Sequence, residues 1–359
     1  MIEALRSARC GGLVLAALLS LTSCSHVNPY YDPNKKHHRP DGFQNTDAEA
    51  VMPRPFSSFL RWQRERFFLD IPPPTMDLTP VKFDPAIVQA ATNHFSVTWI
   101  GHATALVQIG NLRILTDPQF SDRAFMVQWA GPKRFQPPGV ALADLPRIDV
   151  VVISHNHYDH LDEGSVLALN AQKGGPPLFV VPLGVETWMA DIGITNVRAL
   201  DWWDRVEAAG ATVYLTPVQH WSRRTLTDTN RSLWGGYVIE AKSGDAARKI
   251  FFAGDTGYSP THFRDIGTRL GPIDLALIPI GAYEPRWFMG PQHVDPDQAV
   301  QIHKDVRAKR SLGIHWGTFL LTDEPLDAAV GDLAKARSKA GVRDDDFFVL
   351  RHGESKQLD

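Results

Sequence analysis

Cysteine is almost missing from this chain: of 359 residues only Cys10 and Cys24 are cysteine, and both precede residue 25. That absence excludes a disulfide framework and thiolate zinc ligation from everything that follows, so any metal must be held by His, Asp or Glu. An excess of positive charge is missing too. Lys and Arg number 37 against 40 Asp and Glu, with an isoelectric point near 6.5, which argues against a general electrostatic grip on nucleic acid. The N-terminal apolar stretch, residues 11–21, falls short of the ~20 residues that span a bilayer. What remains, 43% hydrophobic and 21% charged, is enough to bury a full core, and length alone allows one large domain or two.

Arg6 and Arg9 precede the apolar stretch, which reads as the core of a signal peptide over residues 1–23. It ends in Leu21-Thr22-Ser23-Cys24, which resembles the lipobox of bacterial lipoproteins. That resemblance implies cleavage before Cys24 and acyl chains on it, each buried CH₂ adding roughly 0.8 kcal/mol of membrane affinity. The mature protein is then lipid-anchored in the cell envelope, and Ser25 after the cysteine points to the outer membrane, facing the periplasm. The alternative is an ordinary secretory signal with an incidental Cys24. Residues 24–92, rich in Pro, Asp, Asn and basic side chains with Pro72-Pro73-Pro74 among them, are expected to form a tether and irregular arm. His37 and His38 are expected to be solvated there. The basic, aromatic segment 56–68 predicts a short helix that packs on the domain or touches lipid headgroups, packing being favoured.

From residue 95 the pattern changes to short β-branched and aromatic runs separated by turns. Strands are predicted at 95–100, 103–109 and 112–116, with Gly110-Asn111 as a hairpin turn. Further strands are predicted at 149–154, 178–182, 197–202, 212–216, 236–240, 249–253, 275–279, 311–315 and 347–351. Helical stretches fit at 164–171, 185–192, 296–307 and 326–340. Strand meanders capped by helices predict an α/β fold of two sheets packed face to face with helices outside, formed by a domain over residues 93–359.

The chemistry is concentrated in Ile153-Ser154-His155-Asn156-His157-Tyr158-Asp159-His160. Imidazole suits zinc, and carboxylate serves zinc, iron or manganese. In an extended backbone alternate side chains point the same way, so His155 and His157 can share one ion, while Asp159 and His160, past the bend, can face a second. Three more polar residues follow apolar strands: His220, Asp255 in Ala253-Gly254-Asp255-Thr256-Gly257, and His315 in Gly313-Ile314-His315-Trp316-Gly317. Each alone could be a turn residue; together they complete two coordination sets. Asp117 at a strand end can orient a ligand histidine or cap a turn, and His102 is similarly placed. His26, His94, His262, His303 and His352 are read as structural or solvated, with a surface role as the default for His303. The tryptophans at 202, 203, 221, 234, 287 and 316 are read as core or pocket wall.

His155-x-His157-x-Asp159-His160 followed by His220, Asp255 and His315 resembles the metallo-β-lactamase superfamily, a four-layer αββα sandwich that binds two metals. Gln219-His220-Trp221, Leu233-Trp234-Gly235, Ile278-Pro279-Ile280-Gly281-Ala282-Tyr283-Glu284-Pro285, His293-Val294-Asp295-Pro296 and His352-Gly353-Glu354-Ser355 narrow the resemblance to the N-acylphosphatidylethanolamine-hydrolysing phospholipase D family, from about residue 96 onward. The resemblance implies two zinc ions: His155, His157 and His220 on one, Asp159, His160 and His315 on the other, and Asp255 bridging. It implies a metal-bridging hydroxide as nucleophile, since zinc lowers the pKa of water from 15.7 to about 7. The products would be phosphatidic acid and an N-acylethanolamine, with Asp159, Asp255 and His293 catalytic. Tyr158, Arg223, His293 and Gln128 match positions that contact phospholipid. The implied partners are a membrane phospholipid substrate and the membrane itself through Cys24, with a homodimer allowed and no nucleic acid. Two other functions stay open at this point: a lactonase-like hydrolase of another ester on the same site, and a non-catalytic envelope lipoprotein in which zinc only stabilises the fold.

Overall fold

A computed structural model describes residues 27–47, 55–89 and 94–358; the signal segment, Cys24 and His26 lie outside them. Among the described residues sixteen strands are formed. β1 (His38–Arg39) and β2 (Gly42–Phe43) make a small hairpin in the arm. One large sheet has the order β16 (Ser355–Gln357), β3 (Phe95–Gly101), β4 (Thr104–Ile109), β5 (Leu112–Thr116), β6 (Val150–Val152), β7 (Leu178–Pro182), β8 (Val197–Leu200). The other runs β15 (Phe347–Phe348), β14 (Ala308–Ile314), β13 (Ile273–Pro279), β12 (Ala246–Phe252), β11 (Gly236–Ser243), β10 (Ala211–Thr216), β9 (Arg205–Ala208).

Both sheets are buried on both faces, which is why their strands read as near-continuous apolar runs. Alternation sorts the side chains: Val107, Val150, Val152 and Val180 enter the cluster between the sheets, where they meet Val213, Tyr237, Ile239 and Phe252. Leu106, Val151, Phe179 and Val181 face the other way, toward Val166 and Leu169 of α3 (Glu163–Asn170) and Val185 and Met189 of α4 (Val185–Asp191). The second sheet is covered by α5 (Pro260–Arg269), α7 (Pro296–Asp305) and α8 (Ala328–Ala340) through Phe263, Ile266, Ile302 and Leu333. The result is the four-layer αββα sandwich. The Gly110-Asn111 turn joins β4 to β5 with Ile109 opposite Leu112.

Direction matters more for the site than order does. β5 and β6 run parallel, as do β12, β13 and β14. β3 and β5 both pair antiparallel with β4, and β10 and β12 both pair antiparallel with β11. The C-terminal ends of β3, β5 and β6 therefore open on one edge of their sheet, and those of β10, β12 and β14 on one edge of theirs. Ligands of open α/β sheets gather outside such carboxyl ends.

One expectation is corrected by the arm. His37 and His38 are not solvated: they are 8% and 6% exposed, with Nε2 atoms 2.6 and 2.9 Å from Asp201 Oδ1 and Oδ2. Lys35 Nζ adds a third contact to Asp201 at 2.5 Å. The partner of the histidines lies more than a hundred and sixty residues away in sequence, so local polarity could not reveal it. His303 is corrected as well: it is buried, with Nδ1 2.8 Å from Ser311 Oγ and its ring on Phe347. Segment 56–68 does form a helix, α1 (Phe56–Phe67), followed by the short α2 (Ala86–Gln89); Trp62 docks α1 by stacking on Phe288 of α6 (Arg286–Met289) at 5.0 Å.

Burial opposes the charge on Asp201, but hydrogen bonds from His37 and Lys35 outweigh it and hold this carboxyl well below the usual range. A depressed carboxylate contributes stability above its unfolded value of 3.8 and loses it as pH falls toward the folded value. Below about pH 4 the arm's peptide N–H groups are therefore expected to lose hydrogen-exchange protection, while at neutral pH tryptic cleavage after Lys35 and Lys36 stays slow. Asp201→Asn is expected to make these bonds labile at pH 7. Equal protection in the variant would rule the anchor out.

Candidate metal centre

Eight residues singled out in the sequence converge where the two sheet edges meet. Asp117 follows β5, His155 follows β6, His220 follows β10, Asp255 follows β12 and His315 follows β14. His157, Asp159 and His160 lie in the turn before α3, closed by the Leu161 N–H donating to the His157 carbonyl at 2.8 Å. Asp162 ends the turn by accepting from the Ser165 N–H at 3.1 Å as the cap of α3.

His155 Nε2 and His220 Nε2 lie 2.8 and 3.3 Å from His157 Nδ1. His155, His157 and His220 thus bring one ring nitrogen each to a common spot. Beyond them, His160 Nε2 is 3.3 Å from His315 Nε2 and 3.4 Å from Asp159 Oδ2. Asp255 stands between the sets: Oδ2 is 3.1 Å from His160 Nε2 and 3.9 Å from His220 Nε2, while Oδ1 is 3.1 Å from His315 Nε2.

The outer ring nitrogens decide which lone pairs are free. Asp117 accepts from His160 Nδ1 at 2.6 Å, and the Gln292 carbonyl accepts from His220 Nδ1 at 3.0 Å. Acceptor-only partners require N–H at those positions, which leaves Nε2 to bind. His155 Nδ1 is 2.8 Å from Ser154 Oγ, which donates to Asp117 at 2.5 Å. Asp117 also accepts from the Ser154 N–H at 2.7 Å. Of its two sequence readings, the orienting one is realised.

Burial drives His155, His157 and His220 toward the neutral form, His157 to about 3 and His220 to about 4. His160 and His315 go the other way. Burial opposes their charge, yet Asp255 and Asp159 outweigh it, lifting His315 to about 9 and His160 well above the usual imidazole value. The same pairing, with His160 foremost, keeps Asp159 and Asp255 well below the carboxylate range in spite of burial. Among the described residues no Lys or Arg contacts either carboxylate; their ion pairs are with imidazoles alone. Neutral nitrogens pointed at one spot beside two ionised carboxylates are a donor set for divalent cations, and the residues fit such a group.

Backbone strain gathers at the same place. Asp117, His102, Ala282 and His315 have φ of 30°, 52°, 63° and 63°, a left-handed region costly for residues other than glycine. His102 proves to be part of the centre: Nε2 is 3.0 Å from Asp159 Oδ2 and its ring centroid 3.9 Å from that of His315. Its position after a predicted strand was the only sequence signal. Ser154 and Gln292 gave none.

His293 stands half-buried beside the centre, its Nδ1 3.9 Å from Asp255 Oδ2 and without a hydrogen-bond partner. Tyr158 and Gln128 line a neighbouring cavity of about 650 Å³ with Asn156, Trp188 and Phe125. Gln128 is exposed and bonded to the Arg123 backbone. Arg223 is exposed, Nε donating to the Thr225 carbonyl, and is not a wall of this cavity. Its neighbour Arg224 is, with a guanidinium 4.2 and 4.5 Å from the ring centres of Tyr158 and Trp188 and Nη1 donating to the Asn156 and Leu161 carbonyls. Sequence does not separate two adjacent arginines; packing does.

The model of the beta-lactamase superfamily domain matches residues 112–316. Among curated proteins the chain is similar to N-acyl-phosphatidylethanolamine-hydrolyzing phospholipase D 1 of Caenorhabditis elegans, 42% identical over 271 residues, covering 72% of this chain and 74% of that protein. It is 38% identical over 233 residues to the mitochondrial N-acyl-phosphatidylethanolamine-hydrolyzing phospholipase D of Saccharomyces cerevisiae, covering 63% of this chain and 48% of the yeast protein. Among solved structures, a metallo hydrolase of the archaeon Ignicoccus hospitalis superposes with a TM-score of 0.54 at 21% identity, over 74% of this chain and 98% of that one. An isothiocyanate hydrolase from Delia radicum gut bacteria gives 0.55 at 22% identity, over 73% and 98%. These two structures bear on the fold alone.

Proposed function

The chain belongs to the N-acylphosphatidylethanolamine-hydrolysing phospholipase D family of the metallo-β-lactamase superfamily and is a metal-dependent hydrolase, and from that premise we propose that it is a dizinc phosphodiesterase acting on N-acylphosphatidylethanolamine or a related phospholipid. Membership leaves no room for the non-catalytic alternative. The observation that carries the proposal is Asp255, whose two oxygens face the two histidine sets from between them. His155, His157 and His220 would hold one ion, and Asp159, His160 and His315 the other. Zinc ions bound there supply acidified water at neutral pH and neutralise charge on a phosphoryl group.

The chain's own residues do the rest. Asp117 and Gln292 fix ring orientation through the outer nitrogens, and His102 restrains Asp159. His293, facing the site with an unpartnered Nδ1 and kept neutral by burial, is placed to take up the proton given up by the attacking water and pass it to the departing alkoxide when the bond from phosphorus to the ethanolamine oxygen breaks. Tyr158, Arg224 and Gln128 line the adjoining cavity, where a headgroup or glycerol backbone would rest. In this reading the protein is tethered at the outer membrane through acylated Cys24, beside its substrate.

The test is a panel of glycerophospholipids offered to purified, zinc-loaded protein, with products read by mass. Phosphatidic acid and N-acylethanolamine are expected. Stoichiometric zinc with no cleavage of any glycerophospholipid would reject the phospholipid assignment, and preferential opening of lactones would install the lactonase-like alternative.

A further inference from the structure

Among the described residues, His220 is the one member of the first histidine set whose backbone is held from outside the catalytic domain. Its peptide leaves β10 four residues after the strand ends at Thr216, so no ladder partner fixes it. Residue 219 is secured by Thr256 and Gly257: the Gln219 N–H donates to Thr256 Oγ1 at 3.0 Å, and the Gly257 N–H to the Gln219 carbonyl at 2.7 Å. For His220 the corresponding bonds come from the N-terminal arm. Asn45 Nδ2 donates to the His220 carbonyl at 2.9 Å, and the His220 N–H donates to Asn45 Oδ1 at 3.2 Å. One side-chain amide thus takes both polar groups of the residue, as a neighbouring strand would.

The arm is built to keep that amide in place. Phe43, 1% exposed, sits in the main core, and its N–H donates to the Asn230 carbonyl at 2.8 Å. A Cβ on Gly42 would lie 2.3 Å from the same oxygen, so the backbones meet there without room for a side chain. Thr46 Oγ1 lies 2.9 Å from His262 Nε2, and Lys35, His37 and His38 hold Asp201. Asn45 is therefore pinned on both sides, while the matched superfamily domain begins only at residue 112.

We infer that Asn45 is a positioning residue of the metal centre, and that the docked arm is the element that completes the site holding the His155, His157 and His220 ion. The inference rests on the two-ion reading above. Because coupling is reciprocal, arm docking and retention of that ion stabilise each other.

Asn45→Ala, Asn45→Asp and the control Gln44→Ala, whose exposed side chain reaches only the Lys36 carbonyl, are to be compared with wild type in two measurements. The first is release of zinc to a chromogenic chelator. Loss of a group supporting a ligand typically weakens metal binding 10–100-fold, so Asn45→Ala is expected to surrender one ion at about tenfold lower chelator while keeping the other. Asn45→Asp, which keeps the acceptor for the His220 N–H but not the donor, should fall between, and Gln44→Ala should match wild type. The second is tryptic cleavage at Lys35 and Lys36: removing zinc should speed it in wild type and change it little in Asn45→Ala. Variants that are folded by circular dichroism and release both ions as wild type does would overturn the inference. If Asn45→Ala does not fold, Asn45→Asp decides on the same criterion. Wild type that retains no metal would defeat the two-ion reading itself, which is distinct from a failure specific to Asn45.

Discussion

Asp255→Asn is expected to lower turnover of a phosphodiester by a factor on the order of 10³ or more, equivalent to about 4 kcal/mol of barrier, with the fold retained. The side chain is 3% exposed and its two oxygens reach His160, His220 and His315 at 3.1, 3.9 and 3.1 Å. An amide keeps the shape and removes the charge. What is lost is the shared anionic ligand and half of the carboxylate field that favours cations here. Metal content should fall with turnover, and both are measured on the same preparation by elemental analysis and by initial rates on a chromogenic phosphodiester. A variant within tenfold of wild type and fully metallated would refute the bridging role.

Gly254→Ala should damage stability and site together. Gly254 has φ of +61°, and a Cβ built on it would lie 2.4 Å from Ser154 Cβ and 2.8 Å from Ser154 Oγ. The left-handed conformation costs a residue with a side chain roughly 1–2 kcal/mol, and forcing a methyl into a filled space about 1–3 kcal/mol more. A loss of about 2–5 kcal/mol in urea denaturation follows. The neighbour that must give way is the serine whose hydroxyl links Asp117 to His155, so zinc affinity should drop in whatever fraction remains folded. An unchanged denaturation midpoint would show that the backbone can yield there at no cost.

Most of the strands were legible because both sheets are buried on both faces: apolar runs such as Val150–Val152 and Leu178–Pro182 announce themselves. β9, with the pattern Arg-Val-Glu-Ala, and β16, Ser-Lys-Gln, were not. Both are terminal strands of their sheets with few buried side chains. α5 was missed as well: capped by Ser259 and opening on a proline, it carries start signals, but its sequence, Pro-Thr-His-Phe-Arg-Asp-Ile-Gly-Thr-Arg, has only two large apolar residues to mark its face.

By itself the sequence determined which atoms could bind metal. With thiols absent after residue 24, only imidazoles and carboxylates were left, and their placement at the ends of apolar runs grouped them. The tertiary structure alone decided how those atoms are used. Which ring nitrogen carries the proton depends on Asp117, Ser154 and Gln292; which of two adjacent arginines lines the cavity depends on Tyr158 and Trp188; and Asn45 meets His220 across 175 positions of chain. Hydrogen bonds and packing act over a few ångströms in space, whatever the separation along the polypeptide, and a single sequence carries no record of those distances.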